Sequence, residues 1–151
     1  MLLLGGGPEY EFYKRILETQ EIENVILEQF HPKEELLKYY KASDVFVHPT
    51  SYDVWGLVIN EAMACGLPAV VSDACVAGLE LVEQGQNGYI ISRNARDEIV
   101  EKISLVLRDE DKRKEMAYKA LKAIESYTIE NMASKHNKVI SNIVDNTFDN
   151  R

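Results

Sequence analysis

Two carboxylates, Asp53 and Glu61, are the side chains of this sequence best placed to carry chemistry. Asp53 falls in a polar loop, and a helical pattern then opens at Gly56-Leu57 and carries Glu61. The first N–H groups of such a helix have no acceptor within it and lie at the positive end of its dipole. Amides of this kind hold an anionic group, whereas acids hold hydroxyl groups. The stretch therefore predicts a site for a ligand that carries both, as a nucleotide sugar does.

Short apolar strands and helices alternate on both sides of this loop. The predicted strands are Met1–Gly5, Val25–Gln29, Val45–His48, Ala69–Ser72 and Tyr89–Ser92. This alternation predicts an α/β fold with a doubly wound, Rossmann-like parallel sheet. Ligands of such sheets bind beyond the carboxyl ends of the strands, and both Gly5–Pro8 and Thr50–Leu57 follow such ends. From Ala95 onward the apolar residues recur at helical spacing, which predicts a helical C-terminal part.

The stretch from His48 to Asp73 resembles a long donor-site motif of retaining glycosyltransferases with the GT-B fold, in family 4. The matching residues are Pro49, Trp55, Gly56, Leu57, Glu61, Ala62, Met63, Ala64, Gly66, Pro68, Val70 and Val71. An ordered motif of this length is far more specific than a lone glycine loop. The resemblance implies that residues 1–151 are part of the C-terminal, donor-binding domain. The N-terminal acceptor domain and the first strand and helix of the donor domain would then lie outside this sequence.

The resemblance also implies roles for individual residues. Asp53 would be the catalytic residue near the anomeric carbon, and Glu61 would hold the ribose hydroxyls. Asp53 stands where the family usually has Glu, so its reach is shorter by roughly 1.5 Å. The other residues implied to bind the nucleotide sugar are Trp55, Gly56, Leu57, Val58, Gly6, Gly7, Phe30 and Thr50.

Simpler structural roles compete with several of these assignments. The glycines of Gly5–Pro8 fit a phosphate-binding loop, and they also fit a tight turn with close packing. His31 lies near the expected base but is also an ordinary loop residue before proline. The Asp109-Glu110-Asp111 run contains the metal-binding Asp-x-Asp of a different glycosyltransferase fold. Since it lies between two predicted helices, we predict a capping turn there.

Composition narrows the class of protein. The formal charge of −8 argues against a broad nucleic-acid surface. Two cysteines, Cys65 and Cys75, form neither a disulfide framework nor a metal-binding spacing, which favours a reduced setting. No apolar run reaches the length that spans a bilayer. We therefore predict a cytoplasmic location, with association of the full-length enzyme with the cytoplasmic membrane face left open.

The resemblance therefore implies retaining transfer of a hexosyl group from a nucleotide-diphospho-sugar, in polysaccharide or glycolipid synthesis, without a metal or other cofactor. We expect the isolated chain to be inactive, because no residue matches the Arg and Lys that relatives place on the donor pyrophosphate. Two alternatives stay open. One is a non-catalytic nucleotide-binding or regulatory module of the same fold. The other, a response-regulator-like phosphoacceptor domain, fits less well because the first strand ends in glycines rather than acids.

Overall fold

A computed structural model describes the backbone of residues 1–148. It divides into two units, Met1–Tyr39 and the chain from Tyr40 onward, and each is described on its own. The first unit contains β1 (Leu2–Leu4), α1 (Tyr10–Thr19), β2 (Ile26–Glu28) and most of α2 (Lys33–Lys41). The second contains β3 (Phe46–His48), α3 (Leu57–Ala64), β4 (Ala69–Ser72), α4 (Val76–Leu81), β5 (Gly88–Ile91), α5 (Arg96–Arg108), α6 (Glu110–Ile124) and α7 (Ile129–Phe148).

In the first unit, β1 and β2 form a parallel pair in which Leu2 lies opposite Ile26. The pairing continues past β1, since the Gly5 amide donates to the Glu28 carbonyl at 3.1 Å. The chain then turns, and the Gly7 carbonyl accepts from the Tyr10 amide at 3.1 Å as α1 begins. The glycine run therefore forms a tight turn between strand and helix.

The sheet of the second unit has the order β3-β4-β5, and all three strands are parallel. Every residue of the central strand β4 is buried. Neighbouring residues of this strand serve different clusters: Val71 packs with Ile59 and Met63 of α3, whereas Val70 packs with Val106 of α5. Because successive side chains of a strand point to opposite faces, helices cover both faces of this sheet. The unit is doubly wound.

The predicted α/β class with parallel strands and helices is confirmed. The bounds of β4 agree with the sequence prediction, and the other strands differ from their predicted bounds at one or both ends. The pairings among the described residues form a two-stranded and a three-stranded sheet, where the sequence predicted one sheet. The assignment of residues 1–151 to a single donor-binding domain stays a prediction. Asp109 caps α6, because its side chain accepts from the Lys112 amide, as predicted for a capping turn.

Candidate functional site

The loop between β3 and α3 is fastened to the segment that follows β4. The Asp53 amide donates to the Ala74 carbonyl at 3.0 Å, and Asp53 forms an isolated parallel bridge with Cys75. Thr50 shapes the start of the loop, since its hydroxyl donates to the Tyr52 carbonyl at 3.0 Å. These contacts fix the backbone of Asp53 at the carboxyl edge of two neighbouring strands, where ligands of such sheets bind.

The Asp53 carboxylate is held by two groups. Its Oδ2 lies 3.2 Å from His48 Nε2, and its Oδ1 accepts from the Trp55 amide at 3.2 Å. The imidazole is itself stacked on the Phe46 ring, with the planes 15° apart. Even so, 33% of the Asp53 side chain is exposed. The carboxylate is therefore oriented by the protein and remains accessible to a ligand.

Among the residues that the structure describes, no side chain caps the start of the helix α3. Its N-cap, Gly56, adopts φ +91°, a left-handed conformation that favours glycine. A Cβ on Gly56 would lie 2.4 Å from Cys75 Sγ, so the site also lacks room for one. Within residues 1–148, the amides of Leu57 and Val58 donate to no protein acceptor. Since Leu57 is 69% exposed, the positive end of the helix dipole is open to solvent.

One turn further along α3, Glu61 is engaged by a buried tyrosine. The Tyr40 hydroxyl donates to Glu61 Oε2 at 3.4 Å. Burial, followed by the nearby Glu61 charge, raises the pKa of Tyr40 to about 12. Tyr40 therefore stays protonated at neutral pH and acts as a donor toward the carboxylate. Asp53 and Glu61 lie at the same loop–helix junction, but they have different partners.

The structure brings most of the predicted residues together within the second unit. Those on the loop and on the first two turns of α3 are Thr50, Asp53, Trp55, Gly56, Leu57, Val58 and Glu61. The Trp55 amide donates to Asp53 Oδ1, and the Trp55 indole Nε1 donates to Asn60 Oδ1 at 2.9 Å.

The other predicted residues, Gly6, Gly7 and Phe30, belong to the first unit. There, a Cβ on Gly6 would lie 3.8 Å from the Phe30 amide nitrogen, so the glycine turn runs close beside this backbone. The Phe30 side chain is 78% exposed.

Two residues at the site were missed by the sequence analysis, His48 and Cys75. His48 was assigned only to the end of a strand, and Cys75 only to the class of unpaired cysteines. Cys75 is fully buried, and its thiol donates to the Trp55 carbonyl at 2.9 Å. Residues 48, 53 and 75 meet because the loop folds back onto the end of β4, and no local spacing indicates such a contact.

An open depression of about 360 Å³ borders Asp53. Cys75, Asp73 and Arg93 also line it. The Arg93 amide donates to Asp73 Oδ1 at 3.1 Å, which ties the end of β5 to the end of β4. The depression therefore lies at the carboxyl edge of the sheet, next to Asp53.

Comparisons with known proteins agree on one family. The family model for glycosyl transferases group 1 matches residues 1–123. An uncharacterized glycosyltransferase of Haemophilus influenzae is 30% identical over 129 residues, covering 85% of this chain and 36% of that protein. N-acetyl-alpha-D-glucosaminyl L-malate synthase of Bacillus anthracis is 25% identical over 147 residues, which cover 95% of this chain and 38% of that protein. Among solved structures, Anabaena HepE in complex with UDP and glucose has a TM-score of 0.80 and 26% identity, over 93% of this chain and 40% of that one.

The chain thus spans 36% and 38% of the length of these two curated relatives. The GT-B fold expected from the resemblance is supported by these neighbours. Among the described residues, none of the helices combines the length and apolar character that crossing a bilayer requires.

Proposed function

Because the chain belongs to the glycosyl transferases group 1 family, we propose that it forms the donor-binding part of a retaining glycosyltransferase that uses a nucleotide-diphospho-sugar. The observation that carries this proposal is the uncapped start of α3. Leu57 and Val58 present amides that have no acceptor in the described part of the chain, and the oriented, partly exposed Asp53 carboxylate stands beside them. A helix N-terminus of this kind stabilises a diphosphate, including the charge that develops on it as a leaving group.

In this proposal the other side chains act on hydroxyl groups. Glu61 holds the ribose, and Asp53 faces the sugar near the anomeric carbon. Tyr40 keeps the Glu61 carboxylate in place, and His48 does the same for Asp53. A related solved structure, HepE, is in complex with UDP and glucose, which supports a uridine nucleotide as the first donor to test.

The diphosphate charge is met by backbone amides in this scheme, so the proposed reaction proceeds without a metal or other cofactor. Acceptor binding and turnover belong to the whole protein, and we expect no transfer by residues 1–151 alone. Polysaccharide or glycolipid assembly at the cytoplasmic side of a membrane remains the predicted setting.

The open helix end can be tested through Leu57, whose exposed side chain can be changed without disturbing the core. Leu57→Glu places a carboxylate at the helix N-terminus, where it favours folding by about 0.3–1 kcal/mol. The same charge repels a bound diphosphate. At roughly 6 Å and an effective dielectric constant of about 40, each pair of unit charges costs about 1.4 kcal/mol, or roughly tenfold in affinity.

The assay is calorimetric titration of this chain with UDP, UDP-glucose and the corresponding GDP and ADP compounds. We expect Leu57→Glu to weaken nucleotide binding at least about tenfold while thermal stability holds or rises. Leu57→Gln is the matched control, because glutamine has the shape of glutamate without its charge. It should change the affinity for the nucleotide by less than about threefold. Equal affinities for the two variants would show that the diphosphate does not bind at this helix end.

A second candidate function is a non-catalytic nucleotide-binding module. The short Asp53 side chain, already engaged by His48 and the Trp55 amide, favours it. Asp53→Glu in the whole protein distinguishes the two. A decayed site should gain activity when the usual Glu is restored, whereas an active site built around Asp53 should lose it.

A further inference from the structure

Three possible metal ligands converge beside the proposed donor site. His48, Asp53 and Cys75 each offer one donor atom, and these atoms all lie within 4.8 Å of one another. We propose that they form a binding site for a thiophilic divalent cation of the Zn²⁺ class. The site is separate from the amides at the start of α3, and no feature of the sequence spacing pointed to it.

The ligand set and its dimensions suit such an ion. Imidazole nitrogen, carboxylate oxygen and thiolate sulfur are the ligands that Zn²⁺ takes, at about 2.0–2.3 Å. In a tetrahedron with bonds of this length, neighbouring nitrogen and oxygen ligands lie about 3.3 Å apart. His48 Nε2 and Asp53 Oδ2 are already 3.2 Å apart. All three atoms lie within 4.8 Å of one another, so no pair needs to close by more than about 1.3 Å.

The backbone around the three ligands is fixed in advance. His48 lies opposite Val71 in the β3–β4 pairing, and Asp53 is bridged to Cys75. Gly56 leaves the space between two of the ligands free, because its absent Cβ would lie 2.4 Å from Cys75 Sγ and 3.6 Å from Asp53 Oδ2. Binding therefore requires little reorganisation of the chain.

The binding step has a defined proton balance. In the metal-free state the Cys75 thiol donates to the Trp55 carbonyl. Binding replaces the S–H bond with a sulfur–metal bond, and the proton passes to water. The carboxylate and the thiolate then balance the two positive charges of the ion. His48 and Asp53 are 23% and 33% exposed, so the ion enters from their side and a water completes its fourth position.

Occupation of this site has a consequence that rests on the proposed function. An Asp53 carboxylate bound to a metal no longer faces the donor sugar, so the ion would act as an inhibitor of sugar binding rather than as a cofactor. The amides of Leu57 and Val58 remain free to hold the diphosphate. We therefore expect the ion to weaken UDP-glucose binding more than UDP binding.

The first experiment is a titration of the metal-free, reduced chain with Co²⁺, followed by displacement with Zn²⁺. We expect a near-ultraviolet thiolate-to-cobalt absorption band, visible bands of a tetrahedral ion, and loss of both on addition of Zn²⁺, which binds such sites more tightly. This readout needs no nucleotide, so its failure is distinct from failure of the donor-site proposal.

Variants identify the ligands. Cys75→Ser should abolish the thiolate band. His48→Gln should weaken Co²⁺ binding by at least about tenfold, because the loss of even a hydrogen-bond partner of a metal ligand weakens metal binding by that factor. Cys65→Ser removes the other free cysteine and should leave the titration unchanged. His48→Gln keeps the test decisive if the buried Cys75→Ser variant fails to fold. Absence of a thiolate band with Co²⁺ in large excess, or a band lost in Cys65→Ser and kept in His48→Gln, would overturn the proposal.

Discussion

Substitution of Gly56 by alanine tests whether the start of α3 is built as described. Two costs follow from the structure. An alanine in the left-handed conformation at φ +91° costs about 1–2 kcal/mol. Its Cβ would also lie 2.4 Å from the buried Cys75 Sγ, and overpacking of this kind costs about 1–3 kcal/mol. We therefore expect Gly56→Ala to lower the free energy of unfolding by about 2–5 kcal/mol.

The other end of the same helix provides a matched control. Gly66 also has a positive φ, +78°, but the nearest atom to its absent Cβ is a flexible Leu121 methyl carbon at 3.5 Å. Gly66→Ala should therefore lower the free energy of unfolding only by the conformational cost of about 1–2 kcal/mol. The difference between the two variants isolates the contact with Cys75.

The assay is urea unfolding of the two variants, repeated in a Cys75→Ala background. Removing the sulfur should reduce the cost of Gly56→Ala to that of Gly66→Ala, which gives a coupling of about 1–3 kcal/mol in a double-mutant cycle. In the folded Gly56→Ala protein, the amides of Leu57 and Val58 shift, so UDP should bind more weakly. If Gly56→Ala costs no more than Gly66→Ala, or costs the same with and without Cys75, the close contact that defines this helix end is refuted.

Three further changes test other parts of the chain. Because the pKa of Tyr40 is about 12 in the folded state and lower in the unfolded state, the unfolding free energy should fall by about 1–2 kcal/mol as the pH rises from 10 to 12. Tyr40→Phe should abolish this fall, and urea unfolding at several pH values would show it. Gly88→Ala should prevent folding of the second unit, because its Cβ would clash with the Ala69 carbonyl oxygen in the backbone of the paired strand. Circular dichroism and limited proteolysis would detect the unfolded protein. Asp109→Ala should lower the unfolding free energy by about 1 kcal/mol through loss of the α6 cap, whereas Asp111→Ala, in the first turn of the same helix, should cost less.

The elements of the site could be predicted because their signals are local. A short apolar run bounded by turn residues indicates a buried strand, and this placed β4 at Ala69–Ser72. The end of α3 also has a local signal, because Gly66 and Pro68 are residue types that end helices, and Gly66 adopts a positive φ. The ordered motif from Pro49 to Val71 then fixed the family, because its residues hold a loop and a helix start in one geometry.

The contacts that orient the Asp53 carboxylate could not be predicted, because they join segments far apart in sequence. His48 and Asp53 meet across a loop turn, and Cys75 reaches them only through the pairing of β3 with β4. Nothing in the spacing of a histidine and a buried cysteine distinguishes this arrangement from ordinary core packing. The division of the strands into two sheets has the same origin, since strand pairing depends on tertiary contacts that the apolar pattern does not specify.

The contacts of the Asp53 carboxylate give a structural reason for an Asp at this position in place of the usual Glu. Read from the sequence, an Asp in place of the usual Glu is a side chain that falls short by roughly 1.5 Å. In the structure, the shorter side chain meets His48 Nε2 and the Trp55 amide at 3.2 Å each. A Glu with the same backbone would carry its carboxylate past both partners, so Asp and His48 form one unit. It follows that Asp53→Glu should release His48 as well as extend the acid, and that its effect on activity should be smaller when His48 has already been replaced by Gln. Additive effects of the two substitutions would show that the pair does not act together.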